Sequence, residues 1–261
     1  MCFYNGIVVS RAQHIRLNEI EKEIGEMRDA LQRPLQSGFA FGDWPVLTAD
    51  GLRDFDLRLM HWELIPYYVR TGEELMHFRH GGLNARTGKK DPPRNTLNAI
   101  GEEMLDKVSY KQAALKRRCL VLSSGFYEWR HFTPPGSKKD LAYPYHVTVK
   151  EREYFFMAGI WQPWTDQETG ETIDTFSIVT TAANALMAQV HNNKKRMPLI
   201  LPDPLASEWI RDGLTPTRIN ELAHYQFPAE QMEAETIRKD FRTALDPMEV
   251  EEYSELPPLA N

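Results

Sequence analysis

The chain has 261 residues, 42% of them hydrophobic and 26% charged, with a formal net charge of −6. That balance predicts a globular fold with a sizeable core and excludes a disordered or fibrous chain. No run approaches the roughly 18 apolar residues of a membrane-spanning helix, and the N-terminus lacks the basic and apolar regions of a secretory signal, so a cytoplasmic protein without a membrane partner is expected. The only cysteines, Cys2 and Cys119, form no CxxC pair, so neither a disulfide framework nor a structural zinc site is expected.

Residues 12–31 carry Ile15, Leu17, Ile20, Ile24, Met27 and Leu31 near a 3.6-residue period, which predicts an amphipathic helix. Segments rich in β-branched and aromatic residues follow at 44–49, 55–66, 117–129, 143–150, 153–161 and 174–181, punctuated by Gly, Pro and Asp, and predict mostly antiparallel strands. Helices are predicted over 97–111, 183–190, 205–213 and 217–224. The expected class is α+β, with a curved sheet core in a single domain over 1–245. Residues 246–261, acidic and proline-containing, are expected to form a tail or a strap on the surface.

Charge is unevenly distributed. Between Arg79 and Arg118 ten Lys/Arg stand against four acids, and Lys194-Lys195-Arg196 form a second basic knot. Such runs suit a phosphate-binding surface, and they suit a solvated face equally well.

Cys2 is the residue with the most distinctive chemistry. If the initiator Met is removed, the chain starts with a cysteine whose α-amine and thiol, with ordinary pKa values of about 7.7 to 8.0 and 8.5, sit on adjacent carbons. An aldehyde can meet the amine as an imine and then the thiol at the same carbon, closing a five-membered thiazolidine. A small buried residue in a first strand is the plainer reading of the same position. Three further fragments bear on the choice. Gly82-Leu83-Asn84-Ala85-Arg86 places an amide and a guanidinium in a basic loop suited to a sugar or phosphate. In 117–129 an apolar strand turns at Gly125 and sets Glu128 between Tyr127 and Trp129, where burial would raise its pKa toward acid/base use. His191 stands at a predicted helix end before Arg196-Met197-Pro198.

Together these fragments resemble one family, the SOS response-associated peptidase (SRAP) or abasic-site processing proteins. The matches are the Met-Cys start, Trp62-Glu63-Leu64-Ile65-Pro66, Asn84-Ala85-Arg86, Arg118-Cys119-Leu120, Gly125-Phe126-Tyr127-Glu128-Trp129, Ala158-Gly159-Ile160-Trp161, and His191 followed by Arg196-Met197-Pro198. They occur in the family's order over about three quarters of the chain. The resemblance implies a single SRAP-type α+β domain with an open barrel-like core, flanking helices and a basic DNA cleft. It implies an enzyme that captures abasic sites in single-stranded DNA, or at single-strand/duplex junctions, as a thiazolidine DNA-protein crosslink on Cys2. In that scheme Asn84 orients the N-terminal residue and the opened sugar, Glu128 shuttles protons, and His191 assists ring opening and reversal. Arg86, Arg118 and Arg196 would contact DNA, with no metal or cofactor needed; a monomer is expected.

Three departures from the family pattern stand out. Cys2 is followed by Phe3-Tyr4-Asn5 where many relatives have Gly-Arg, Glu63 replaces a glycine, and the His-to-Arg spacing before Met-Pro is longer by three residues. Two rival readings stand beside it, the first of them on the same residues. One is a thiol peptidase limited to removing its own Met1, with Cys2, His191 and Glu128 or Asn84; a lyase activity would be a further use of the site. The other is a non-enzymatic single-stranded DNA binding module that uses the Arg79 to Arg118 basic stretch, with Trp62, Tyr67 and Tyr68 for stacking.

Overall fold

The computed structural model of the protein describes residues 2–51, 54–84 and 87–260, and strands dominate it. The first half contains β1 (Tyr4–Val8), β2 (His14–Leu17), β3 (Ile20–Glu23), β4 (Gln32–Ser37), β5 (Asp43–Asp50), β6 (Asp54–Trp62), α1 (Gly72–His80), β7 (Gly82–Leu83), β8 (Lys90–Asp91) and β9 (Asn98–Ile100). The second half contains α2 (Lys111–Lys116), β10 (Arg118–Ser123), β11 (Gly125–Phe132), β12 (Leu141–Val149), β13 (Phe155–Thr165), β14 (Thr172–Ala182) and α3 (Met187–Val190). After these come β15 (Arg196–Pro198), β16 (Ile200–Leu201), α4 (Asp203–Ile210), α5 (Pro216–Ala223) and β17 (Met232–Thr236).

One sheet has the order β17-β12-β11-β1-β4; the larger runs β15-β14-β6-β5-β10-β13-β16. Because β13 also pairs with β14, five strands of the larger sheet close into a ring. Its ladders are antiparallel except where β14 meets β6 and β9. The class is therefore α+β with a barrel-like core, as the strand-rich segments and the resemblance imply. Trp44, Trp62 and Phe176 are fully buried, and Trp62 packs between the other two, with ring centroids 6.1 and 6.3 Å away.

β1 joins the two sheets. It pairs with β11 and β4, and Asn5 reaches across to the end of β10, donating to Leu122 O at 3.4 Å and accepting from Ser123 Oγ at 2.7 Å. Asn5, one of the departures from the family start, is thus a buried fastener. Next to it, a Cβ on Gly6 would lie 2.4 Å from Pro34 O, so only glycine fits between the flanking strands.

Two predicted helices are strands or turns instead. Over 12–31 the chain forms the β2–β3 hairpin and two short 3-10 turns. Ile15 and Leu17 are both buried; two residues apart, they share the face of a strand but lie on opposite sides of a helix. Asn18 takes a left-handed φ of 53°, as a tight hairpin turn requires. Over 97–111 the apolar spacing imitates a helix, yet β9 pairs with β14 and the following residues are turns. There the open edge of β14 captures the backbone, and tertiary pairing overrides the local pattern. Conversely α1 was not expected, although Thr71 and Glu74 have capping-box spacing and Thr71 Oγ1 accepts from Glu74 N at 3.2 Å.

Candidate active site

Tyr4 pairs with Tyr127 in the β1–β11 ladder. Continuing that register backward carries Cys2 alongside Glu128 and Trp129. Cys2 is fully buried, its Sγ lies 3.6 Å from Tyr4 O, and burial, followed by the Glu128 charge, pushes its thiol pKa up. The thiol therefore rests protonated.

Glu128 projects from the strand into the same buried region, and burial pushes its carboxyl up to about 7. Near neutral pH it is divided between acid and base forms, the condition for moving protons in both directions. His191 closes α3, and its Nδ1 lies 2.8 Å from Arg196 O. A carbonyl accepts, so Nδ1 carries the proton, leaving the Nε2 lone pair facing Glu128 Oε2 at 3.9 Å. Burial holds this imidazole down at about 4, so it is neutral at physiological pH. The lengthened His-to-Arg spacing is taken up by a turn: Lys195 N donates to His191 O at 2.8 Å, Lys195 sits at φ 51°, and Arg196 returns to the His191 ring. Phe3, Glu128, Trp129, His131, His191 and Lys194 line a hollow of about 210 Å³ opening on this pair.

Asn84 is placed elsewhere. Its Nδ2 donates to Asp91 Oδ2 at 2.8 Å and its Oδ1 accepts from Thr87 N at 3.1 Å, fixing the β7–β8 hairpin beside a separate hollow lined by Tyr68, His77 and Arg94. The amide that holds the N-terminal residue belongs to Asn98, whose Nδ2 donates to Cys2 O at 2.9 Å. Tyr110 OH donates to Asn98 O at 3.1 Å and steadies it from behind. Asn98 Oδ1 is buried with no hydrogen-bond partner among the described residues. A second Asn-Ala pair, Asn98-Ala99 with Glu102 after it, is the trace this residue leaves in the sequence, fourteen positions beyond Asn84.

The proposed DNA contacts divide similarly. Trp62 is fully buried, its Nε1 donating to Leu97 O at 3.1 Å, so it packs the core and offers no stacking face. Arg118 is 3% exposed, and its guanidinium donates to the carbonyls of Trp209, Ala114, Leu115 and Arg211, tying α2 and α4 to β10. Arg196 forms a two-bond fork with Glu102, both contacts 2.7 Å, and donates to Thr180 O at 2.6 Å. Burial opposes ionisation of Glu102, but the Arg196 fork outweighs it and the carboxyl pKa is lowered. Both guanidiniums are thus committed inside the fold. Tyr67 and Tyr68 remain exposed, at 65% and 41%, edge to face with each other. Arg86 lies outside the described residues; Lys89 and Lys90 of the β7–β8 hairpin and Arg94 after it are exposed.

Cys119, in β10, is fully buried, and burial pushes its thiol up. Among the described residues no group of three or more His, Cys, Asp or Glu is placed to hold a metal ion, and no helix is long and apolar enough to cross a membrane.

The family model for SOS response associated peptidase (SRAP) matches residues 12–243. The abasic site processing protein YoqW of Bacillus subtilis is 28% identical over 180 residues, which cover 64% of this chain and 76% of its own. The abasic site processing protein HMCES of Gallus gallus is 29% identical over 198 residues, covering 67% of this chain and 58% of its own length. A crystal structure of a protein from Bacteroides thetaiotaomicron is 30% identical and superposes with a TM-score of 0.74 over 95% of this chain and 97% of that one. A match over nearly the whole domain, with the same fold at this identity, means that the chain belongs to the SOS response associated peptidase (SRAP) family.

Proposed function

We propose that this protein is an enzyme that processes abasic sites in single-stranded DNA by capturing the opened sugar aldehyde as a thiazolidine on Cys2, once Met1 has been removed. The observation that carries the reading is the enclosure of the second residue of the chain: Asn98 grips its carbonyl, and a proton-exchanging pair, Glu128 and His191, stands beside it. The relatives named abasic site processing proteins support the substrate class.

The steps follow from the groups present. The Cys2 amine adds to the aldehyde carbon, giving a carbinolamine. Protonated Glu128 donates to the departing hydroxyl, water leaves, and a protonated imine (iminium) forms beside the Glu128 carboxylate. The Cys2 sulfur then bonds to the imine carbon while the thiol proton passes to the Glu128 carboxylate. The net change is one C–N and one C–S bond formed and one water released. A thiol that burial keeps protonated needs such a base. The neutral His191 Nε2 is suited to take the sugar hydroxyl proton as the ring opens. The Asn98 Oδ1, buried and unpartnered among the described residues, is an acceptor available to the freed α-amine. Tyr67, Tyr68 and the basic β7–β8 hairpin offer stacking and phosphate contacts for the flanking strand.

Intact mass spectrometry after mixing the processed protein with single-stranded DNA bearing one abasic site tests the reading. The expected species is the chain lacking Met1 plus the DNA strand, less one water; no adduct, or an adduct that retains Met1, overturns it. The same assay separates the two asparagines. Asn98→Ala is expected to slow crosslinking on the order of a hundredfold, as for other buried polar groups aligned on a reacting centre. Asn84→Ala should leave the rate within about twofold, because it contacts the hairpin and the far hollow; the reverse order would return the role to Asn84.

A further inference from the structure

The acidic segment 246–260 lies beyond the residues matched by the family model, which end at 243. Its last residues nevertheless fasten the two elements that hold Glu128 and His191. On β11, Arg130 follows Glu128 by two residues and so shares its face of the strand; its Nη1 donates to Pro257 O at 2.6 Å. Three residues later, Ala260 N donates to Gln189 Oε1 at 2.7 Å, and Gln189 Nε2 donates back to Ala260 O at 3.1 Å. Gln189 stands on α3, two residues before His191.

α3 is a single turn of four residues, its start capped by Asn184, whose Oδ1 accepts from Met187 N at 2.9 Å. Such a helix has no stability of its own, so its place is set by what grips it. One grip follows His191: Asn192 Nδ2 donates to His131 O at 2.7 Å and Asn192 Oδ1 accepts from His131 N at 2.9 Å. Preceding His191, the Asn184 cap and the buried Met187 and Val190 seat the turn, and the Gln189–Ala260 pair is a second grip on its outer side. With its outer side held as well, the turn has less room to pivot, and the ring stays where Arg196 O meets Nδ1. The segment is itself anchored, because Leu256 and Leu259 pack against the core and Tyr143 OH donates to Glu255 at 2.9 Å.

We propose that residues 255–260 form a positioning strap that, by gripping Gln189 and Arg130, holds His191 at working distance from Glu128; this rests on the reading that the pair moves protons in abasic-site capture. The strap touches no reacting atom. Its contribution is geometric, and a displacement near 1 Å in such a pair is enough to cost tenfold or more in rate.

The test uses a chain ending at Glu255 and the point variant Gln189→Ala, each alone and combined with His191→Ala. Crosslink formation and release are timed on single-stranded abasic DNA, and affinity is measured on the same strand without the lesion. Both variants are expected to slow release about tenfold at unchanged affinity, and to slow it no further when His191 is already alanine. Equal loss in both backgrounds, or no loss in either, overturns the strap. Should the shortened chain fail to fold, Gln189→Ala still decides, because it leaves the strap's apolar contacts in place. NMR titration of the His191 ring reads the strap independently of any crosslink: loss of the second grip lets water reach the ring and raises its pKa from about 4 toward the ordinary 6.5. An unmoved titration overturns the proposal even if the protein forms no crosslink, whereas absence of crosslinking by the wild type together with a shifted titration sinks only the functional reading.

Discussion

Replacing Cys2 by alanine is expected to abolish the stable crosslink to abasic DNA. The alanine amine can still form an imine, but without sulfur at the adjacent carbon the ring cannot close, and the imine hydrolyses on work-up. Cys119→Ala should crosslink at close to the wild-type rate, because Cys119 is buried in β10 and takes no part in the site. An extension ahead of Cys2 should be as damaging as removing the thiol, since an amide nitrogen gives no imine. Gel separation of covalent complexes from all three proteins is the measurement. An extended protein that crosslinks fully would demand thiol-only chemistry and favour the peptidase-like reading. Equal failure of the Cys2 and Cys119 variants would remove any special status of the chain start.

Glu128→Gln should slow crosslinking by on the order of a hundredfold or more while DNA affinity stays near wild type, the usual size of a lost general acid/base. The pH profile assigns the group. The cycle starts and ends with protonated Glu128, so its contribution to the wild-type rate should fall as pH climbs through about 7, and that inflection should vanish in the glutamine variant. His191, neutral above about 4, contributes no inflection near neutrality. The same shift has a consequence for stability. The native Glu128 pKa is raised from 4.5 to about 7, so the native state favours the protonated form. The stability tied to that form is present below pH 4.5 and is lost as pH rises through 7. Glutamine, which never ionises, avoids the loss. Glu128→Gln is therefore expected to melt at higher temperature than wild type at pH 8, by an amount on the order of 3 kcal/mol at most, with the gap closing toward pH 4.5. A variant that loses crosslinking but gains nothing in stability at pH 8 would mean that Glu128 is not held protonated by burial.

Local pattern alone determined much of this protein. The alternating strands of the barrel-like core, the chemistry latent in a second-position cysteine, and the placing of Glu128 between two aromatics are all legible in neighbouring residues, because strand periodicity and functional-group chemistry are local properties. Burial was less legible. Trp62, Arg118 and Arg196 carry the residue types of a DNA surface, yet all three are committed inside the fold by partners far away in sequence, Leu97, Trp209 and Glu102. The two Asn-Ala pairs show the limit most sharply. Asn84 and Asn98 are chemically identical and fourteen positions apart, and nothing in their side chains says which one meets Cys2. The pairing of β9 with β14 decides it: that ladder replaces the expected helix, brings Asn98 beneath the start of the chain and leaves Asn84 on an outlying hairpin. Strand pairing joins residues about eighty positions apart here, and its free energy comes from hydrogen bonds and burial that exist only once both partners are in place.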